Sequence, residues 1–302
     1  MPEVATRPRR RWARLSIRGS MVLVLAVAIL LGWQAKRMRE QREAVEAVRK
    51  HGGWVHYDHE FVDGKPESSD GPRAPRWLVK LVGPEAFQSV RLVSLVYDDS
   101  TGKRFDNENQ EPCDALLSKL AKLSGLKTLM LKGSQATDKG LESIGRMTDL
   151  EKLYIWQGVS VTDAGVAHLA HLKNLEYVHI NGSKITDESL VLLSRLPKVR
   201  GLSLDGSRFT DAGLARMQGS DRLTDLAIGL GDLRLTDAGV ANLSGFTNLT
   251  LIDLQGSDVT DAGLDRLKGL PKLKKLWLWN TRVSDDGVRR LKQANPAVFV
   301  SR

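Results

Sequence analysis

The chain has 302 residues, a formal net charge of +9 and a single cysteine, Cys113, so it is long enough for a repeat array but has no internal disulfide and no all-cysteine metal site. The charge is uneven: residues 1–50 carry 12 Lys/Arg against 4 Asp/Glu, whereas residues 51–302 carry 33 against 32. A near-neutral main body excludes the basic surface of a nucleic-acid binder, and the excess sits where it flanks one apolar segment.

In chain order, residues 1–18 are a basic tail. Residues 19–35, "GSMVLVLAVAILLGWQA", hold no charge and lie between Arg18 and Lys36. Their length is at the short end of what spans hydrocarbon. Arg18 and Lys36 can reach the headgroups, and Trp33 suits the interface. The segment is expected to be an uncleaved membrane anchor. A signal peptide is the rival reading, but its best cleavage point, after Ala35, would put bulky Trp33 where a small residue is needed. More basic residues precede the segment than follow it closely, which places the rest of the chain outside the cytoplasm.

Residues 36–53 read as a juxtamembrane helix, with Met38, Val45 and Val48 at helical spacing and Gly52-Gly53 ending it. Residues 54–125 are expected to form an N-terminal cap. Within it, 54–62 is strand-like, 63–75 is a turn-rich linker, and 76–97 is a short helix followed by a strand. Two polar clusters here, His51/His56/Asp58/His59/Glu60 and residues 98–111, lack metal-binding order and are read as solvated surface. No metal or cofactor is expected.

From residue 126 one hexapeptide recurs. "VTDAGL" at 259–264 has close copies beginning at 136, 161, 185, 209, 235 and 283. Aligning on it divides 126–302 into seven units, 126–149, 150–174, 175–198, 199–222, 223–248, 249–272 and 273–297, plus a C-terminal half strand. Each opens with apolar residues that share one face of a short strand, as in Leu126, Leu129 and Leu131. Each closes with apolar residues three apart, as in Leu264, Leu267 and Leu270, which is one stripe of a short helix. A single unit cannot bury both faces, but stacked units can. The expected fold is therefore α/β: a leucine-rich repeat solenoid with a parallel concave sheet and short convex helices.

These repeats closely resemble bacterial membrane-anchored leucine-rich repeat proteins of the "TDAGL" type, strongly over 126–302 and more loosely over the anchor, 51–61 and 76–90. They are also similar to the cysteine-containing repeat class of ubiquitin-ligase substrate receptors. Ser134, Ser183, Ser207, Ser257 and Thr281 stand where that class has Cys or Asn, and an anchor rather than an F-box-like segment precedes them. The resemblance implies a binding module of unknown partner, not an activity.

Thr137, Thr162, Thr186, Thr210, Thr236, Thr260 and Ser284 each precede a helical stripe. They are expected to cap those helices, with the following Asp at the positive helix end. The small residue two positions beyond that Asp, Gly in six units and Ser189 in the other, suggests close approach of neighbouring coils.

The concave face is formed by the alternate strand residues. Its aromatic groups fall in two places. Tyr154, Trp156, Tyr177 and His179 lie on adjacent strands, flanked by Lys132 and Lys152. Trp277 and Trp279 lie on the last full strand, where they either bind or cover the end of the array. Between them the face is small and acidic. Exposed aromatic groups beside polar ones are interface anchors. No phosphate loop, nucleophile elbow or His-Glu-x-x-His occurs, and His168 with His171 does not complete a zinc site. The expected function is recognition by a tethered module, with an envelope-organising spacer as the alternative and an enzyme or ubiquitin-ligase-like receptor behind both.

Overall fold

The computed structural model describes residues 17–62, 65–66, 74–75, 77, 79–80, 83, 87–96, 113–133, 135–156, 160–181, 184–206, 208–217, 220–229, 231 and 233–302. The basic tail up to residue 16, most of the 63–75 linker, the 98–111 stretch, and Ser134, Ser183 and Ser207 lie outside them. The chain divides into two compact units, one ending at Arg39 and the other running Glu40–Arg302.

The apolar segment and the juxtamembrane segment form one unbroken helix, α1 (Ile17–Lys50). Its part from Gly19 is long and apolar enough to cross a membrane by length and composition, a test that a signal sequence also passes. Met21, Leu25, Ile29 and Leu31 are all exposed. In the second unit the same helix turns amphipathic: Ala44, Val45, Ala47 and Val48 enter the repeat core, and Gln41 donates to the Gln88 carbonyl at 3.1 Å. Gly52 ends it at φ 71°, with Gly53 N–H on the Val48 carbonyl and Gly52 N–H on that of Arg49. That pair of bonds satisfies the last carbonyls and requires a left-handed residue, which Gly accepts without strain.

The sheet has ten strands: β1 (Trp54–Tyr57), β4 (Val90–Val96), β5 (Thr128–Lys132), β6 (Lys152–Trp156), β7 (Tyr177–Ile180), β8 (Gly201–Ser203), β9 (Asp225–Ala227), β10 (Leu251–Asp253), β11 (Lys275–Trp277) and β12 (Phe299–Ser301). β2 (Phe61–Val62) and β3 (Lys65–Pro66) form a separate antiparallel pair. From β4 to β12 every pairing is parallel; β1 lies antiparallel on β4 and closes the N-terminal end. Opposite the sheet run short helices: α2 (Cys113–Leu120), α3 (Asp138–Ile144), α4 (Asp163–Ala167), α5 (Asp187–Ser194), α6 (Asp211–Arg216), α7 (Asp237–Ala241), α8 (Asp261–Arg266) and α9 (Asp285–Ala294). Between the layers, Leu129, Leu153, Val178, Leu202, Leu226, Ile252 and Leu276 form one row, each at most 1% exposed.

The repeat pattern starts earlier than the hexapeptide does. β4 and α2 lie within the expected cap, yet they make a strand–helix unit in register with the rest. Asp114 stands 24 residues before Asp138 and takes its place in the stack. Leu92 pairs with Thr128 and Val96 with Lys132.

Each hexapeptide joins two repeats. The side-chain oxygen of Thr137, Thr162, Thr186, Thr210, Thr236, Thr260 and Ser284 accepts an N–H of its own helix's first turn at 3.2–3.4 Å. The same hydroxyl donates at 2.6–2.7 Å to the Asp of the preceding unit. That carboxylate's other oxygen accepts the backbone N–H of the same residue at 2.7–3.1 Å. The Asp therefore holds the next repeat as well as sitting at its own helix's positive end. It also explains the recurrent Gly: a Cβ at Gly165, Gly213 or Gly239 would overlap the carboxylate of Asp138, Asp187 or Asp211. Where Ser189 replaces Gly, its hydroxyl donates to Asp163. For α2 no Asp of a preceding unit takes this place among the described residues, and the matching position is Leu116, fully buried. At the far end, Asp285 is met by the Arg302 guanidinium at 2.8 Å.

Candidate functional site

Strand register arranges the open face of the sheet in three rows. One runs Tyr154, His179, Ser203, Ala227, Asp253, Trp277. The row beside it runs Lys152, Tyr177, Gly201, Asp225, Leu251. The third row starts at Trp156, the last residue of β6, and continues just past the ends of the following strands with Asn181, Asp205, Gly229 and Gln255. Side chains two apart on a strand share a face, so large groups at both ends and small ones in the middle leave a hollow.

That hollow measures about 350 Å³. Its walls are Tyr154, Tyr177 and His179 on one side and Trp277 on the other, and Gly201, Ser203 and Ala227 form its floor. A Cβ on Gly201 would overlap the Tyr177 ring, so that ring lies down over the neighbouring strand. Tyr154 stacks on Trp156 with centroids 5.4 Å apart and planes at 17°. His179 meets the Trp156 ring edge-on at 5.2 Å and lies 6.3 Å from Tyr154. Such pairs are worth about 0.5–1.5 kcal/mol beyond burial and hold the rings in place. Lys152 Nζ sits 5.8 Å from the Tyr177 ring centroid. Lys132 pairs in register with Trp156 at the N-terminal edge.

Trp277 and Trp279 separate. Trp277 faces the hollow, four strands from His179. Trp279 is 52% exposed at the end of the array, and its Nε1–H donates to Ser301 Oγ at 2.8 Å.

Three buried polar atoms around this hollow make no hydrogen bond of ordinary geometry: His179 Nε2, Asn181 Oδ1 and Asp205 Oδ1. Burial pushes His179 down to about 4, so it is neutral at pH 7. Burial, and then the charge of Asp253, pushes Asp205 up to about 6; the Ser203 hydroxyl, 3.3 Å from Oδ2, and nearby Asn181 offset this only in part. Asp253 is raised too, by burial, although Gln255 donates to both its oxygens at 2.9 Å. Tyr154 is raised by burial and by Tyr177. Pattern reading put Asn181, Asp205 and Asp253 on the concave face with the aromatic groups but named none of the three as part of a site. Their signal was present in the "small and acidic" middle, yet the sequence does not reveal which of those acids are shielded from water.

A larger cleft of about 470 Å³ lies on the helix side, between Ala167, Val191, Leu192, Leu196 and their neighbours. Within it Arg216 forks onto Glu188 at 2.6 and 2.9 Å. It is a seam between repeats, whereas the concave hollow leaves polar atoms open. Elsewhere, His56 Nδ1 contacts Glu60 at 3.0 Å, and no group of three or more His, Cys, Asp or Glu is placed to hold a metal ion among the described residues.

No protein-family model matches the sequence, and no curated protein matches it. A solved structure similar to it is an internalin from Listeria monocytogenes, 18% identical with a TM-score of 0.48. The match covers 61% of this chain and 56% of that one, so the chain spans little more than half of that protein's length. The likeness concerns fold alone. From its parallel register, its buried leucine rows and its Thr–Asp stack, the chain from β4 onward is a leucine-rich repeat solenoid.

Proposed function

We propose that the protein is a membrane-tethered recognition module that binds a protein or peptide segment on the concave face. The observation that carries this reading is the aromatic cluster of Tyr154, Trp156, Tyr177 and His179 beside a hollow with unpartnered polar atoms. Rigid aromatic groups on an open surface supply contact area at low entropic cost, and buried polar atoms without partners favour a ligand that satisfies them. Trp277 extends the same surface; Lys132 and Lys152 border it on the N-terminal side. Trp279 belongs to the end of the array and has no part in this reading.

The test is affinity capture from the source cells with the full chain in mild detergent. The expected result is one partner recovered in stoichiometric amount. Trp156→Ala weakens its binding by about 30-fold, equivalent to about 2 kcal/mol, and lowers the melting temperature by only a few degrees, through the lost ring contacts with Tyr154 and His179. Trp54→Ala, at an exposed position outside the hollow, leaves it intact. Recovery of the chain alone, as an oligomer insensitive to Trp156→Ala, would favour the envelope-organising spacer instead.

A further inference from the structure

The middle of the concave face is acidic, and no cation pairs with its acids among the described residues. Asp205, Asp225 and Asp253 lie within one hollow, and Asp253 is only 5% exposed. None of the ion pairs among the described residues involves any of the three. Asp225 is held by the hydroxyls of Thr224 and Thr250, at 2.8 and 3.3 Å, and Asp253 by Gln255. Asp205 has the long Ser203 contact on Oδ2, its Oδ1 makes no hydrogen bond of ordinary geometry, and nearby Asn181 offsets its charge only in part. The walls around these acids are faces and edges of Tyr154, Tyr177 and Trp277.

We propose that this hollow receives an arginine side chain of the bound segment, its guanidinium stacked against Tyr177 or Trp277 and paired with Asp205. This rests on the concave-face reading and adds the chemistry of the group that enters. Three features select that chemistry. The volume, about 350 Å³, is at the low end of what holds a small organic group. Aromatic faces attract cations through the ring quadrupole, and the planar guanidinium both stacks and forks onto a carboxylate, which a compact hydrated ammonium does less well. An unpaired carboxylate shielded from water is costly, so a cation that pairs with it gains more there than on the surface. His179, neutral at pH 7, does not supply that cation. The raised Asp205 fits a carboxylate buried beside the charge of Asp253 with no counter-ion among the described residues.

The experiment titrates the full chain in mild detergent with Gly/Ser hexapeptides bearing one central residue. That residue is Arg, Lys, or citrulline, which keeps the shape of Arg without its charge. Calorimetry or tryptophan fluorescence gives the affinities. The Arg peptide is expected to bind about tenfold more tightly than the citrulline peptide, and Asp205→Asn to abolish that preference while the protein melts no lower. Asp253→Asn is the second variant and lowers the preference in part.

Equal binding of Arg and citrulline peptides, or an Arg preference that survives Asp205→Asn, overturns the proposal. So does no binding of the Arg peptide at about 10 mM, the weak limit for a single anchored side chain. Displacement of the Arg peptide by calcium alone also overturns it, making the acids a metal site. Loss of charge preference with retained Trp156-dependent partner capture refutes only this inference. Capture indifferent to Trp156→Ala refutes the concave-face reading itself.

Discussion

At the scale of one residue, Asp205 lowers the stability of the fold at neutral pH. Its carboxyl is pushed up to about 6, whereas an unfolded Asp titrates near 4. Between those values the folded chain binds more protons than the unfolded chain, so the group's contribution to stability falls as pH rises through that window. Above about 6 the penalty is complete; below about 4 it is absent. Asp205→Asn removes it. The neighbours facing this group are Asp253, Asn181 and Ser203, with His179 across the hollow. The variant is expected to be more stable than the parent by about 1–3 kcal/mol at pH 7.5 and equal to it near pH 3.5. Denaturant unfolding at the two pH values measures this. His179, depressed to about 4, loses stability in the opposite direction as pH falls, so the parent–variant difference is the informative quantity. A residue whose removal stabilises the fold and weakens a ligand is the pattern of a functional position.

At the scale of the element, the Thr–Asp stack decides how one repeat is placed on the next. One carboxylate takes both the backbone N–H and the hydroxyl of the following cap, and the Gly of the following helix leaves it room. Gly213→Val presses its side chain against the Asp187 carboxylate and should cost about 1–3 kcal/mol. Asp187→Ala frees that space but leaves the Thr210 N–H and hydroxyl unpaired. The two substitutions therefore couple: the double variant is less destabilised than the sum of the singles, by about 1 kcal/mol in a double-mutant cycle. The first unit should behave oppositely. With no Asp of a preceding unit in this place among the described residues, Leu116 fills the Gly position, and Leu116→Gly removes a buried side chain, costing about 3 kcal/mol or more. Chemical denaturation of the four variants checks both halves.

For the whole molecule, the question is how the repeat domain is held. Ala44, Val45, Ala47 and Val48, at the C-terminal end of helix α1, belong to the core of the repeat unit, and the apolar segment at its other end is the proposed anchor. The basic residues on both sides of 19–35 would add only electrostatic, salt-sensitive attachment. The membrane reading therefore expects the protein to stay in the membrane fraction in about 1 M salt, where exposed charge attraction is screened, and to be released by detergent. It also expects protease added outside the cytoplasmic membrane to digest residues 51–302. Release by salt alone would remove the anchor, and protection of 51–302 would reverse the orientation.

The period, the strand and helix spacings and the hexapeptide were legible in the sequence because a repeat array writes the same local problem many times. Leu129 and Leu131 share a face whatever surrounds them, and a Thr before an apolar stripe is a cap by local chemistry. The aromatic wall followed from the same period-two rule applied to adjacent strands. Three things depended on the stacked structure. β4 and α2 became a repeat without the hexapeptide, because Asp114 needed only to reach Thr137. The recurring Asp turned out to hold the following repeat, a contact 23 to 25 residues away that helix-end reasoning does not consider. And Asp205 became distinct from the other acids of the face, since its burial and its nearness to Asp253 arise only when β8, β9 and β10 lie side by side. Local geometry is set by neighbours in sequence; desolvation and charge proximity are set by neighbours in space.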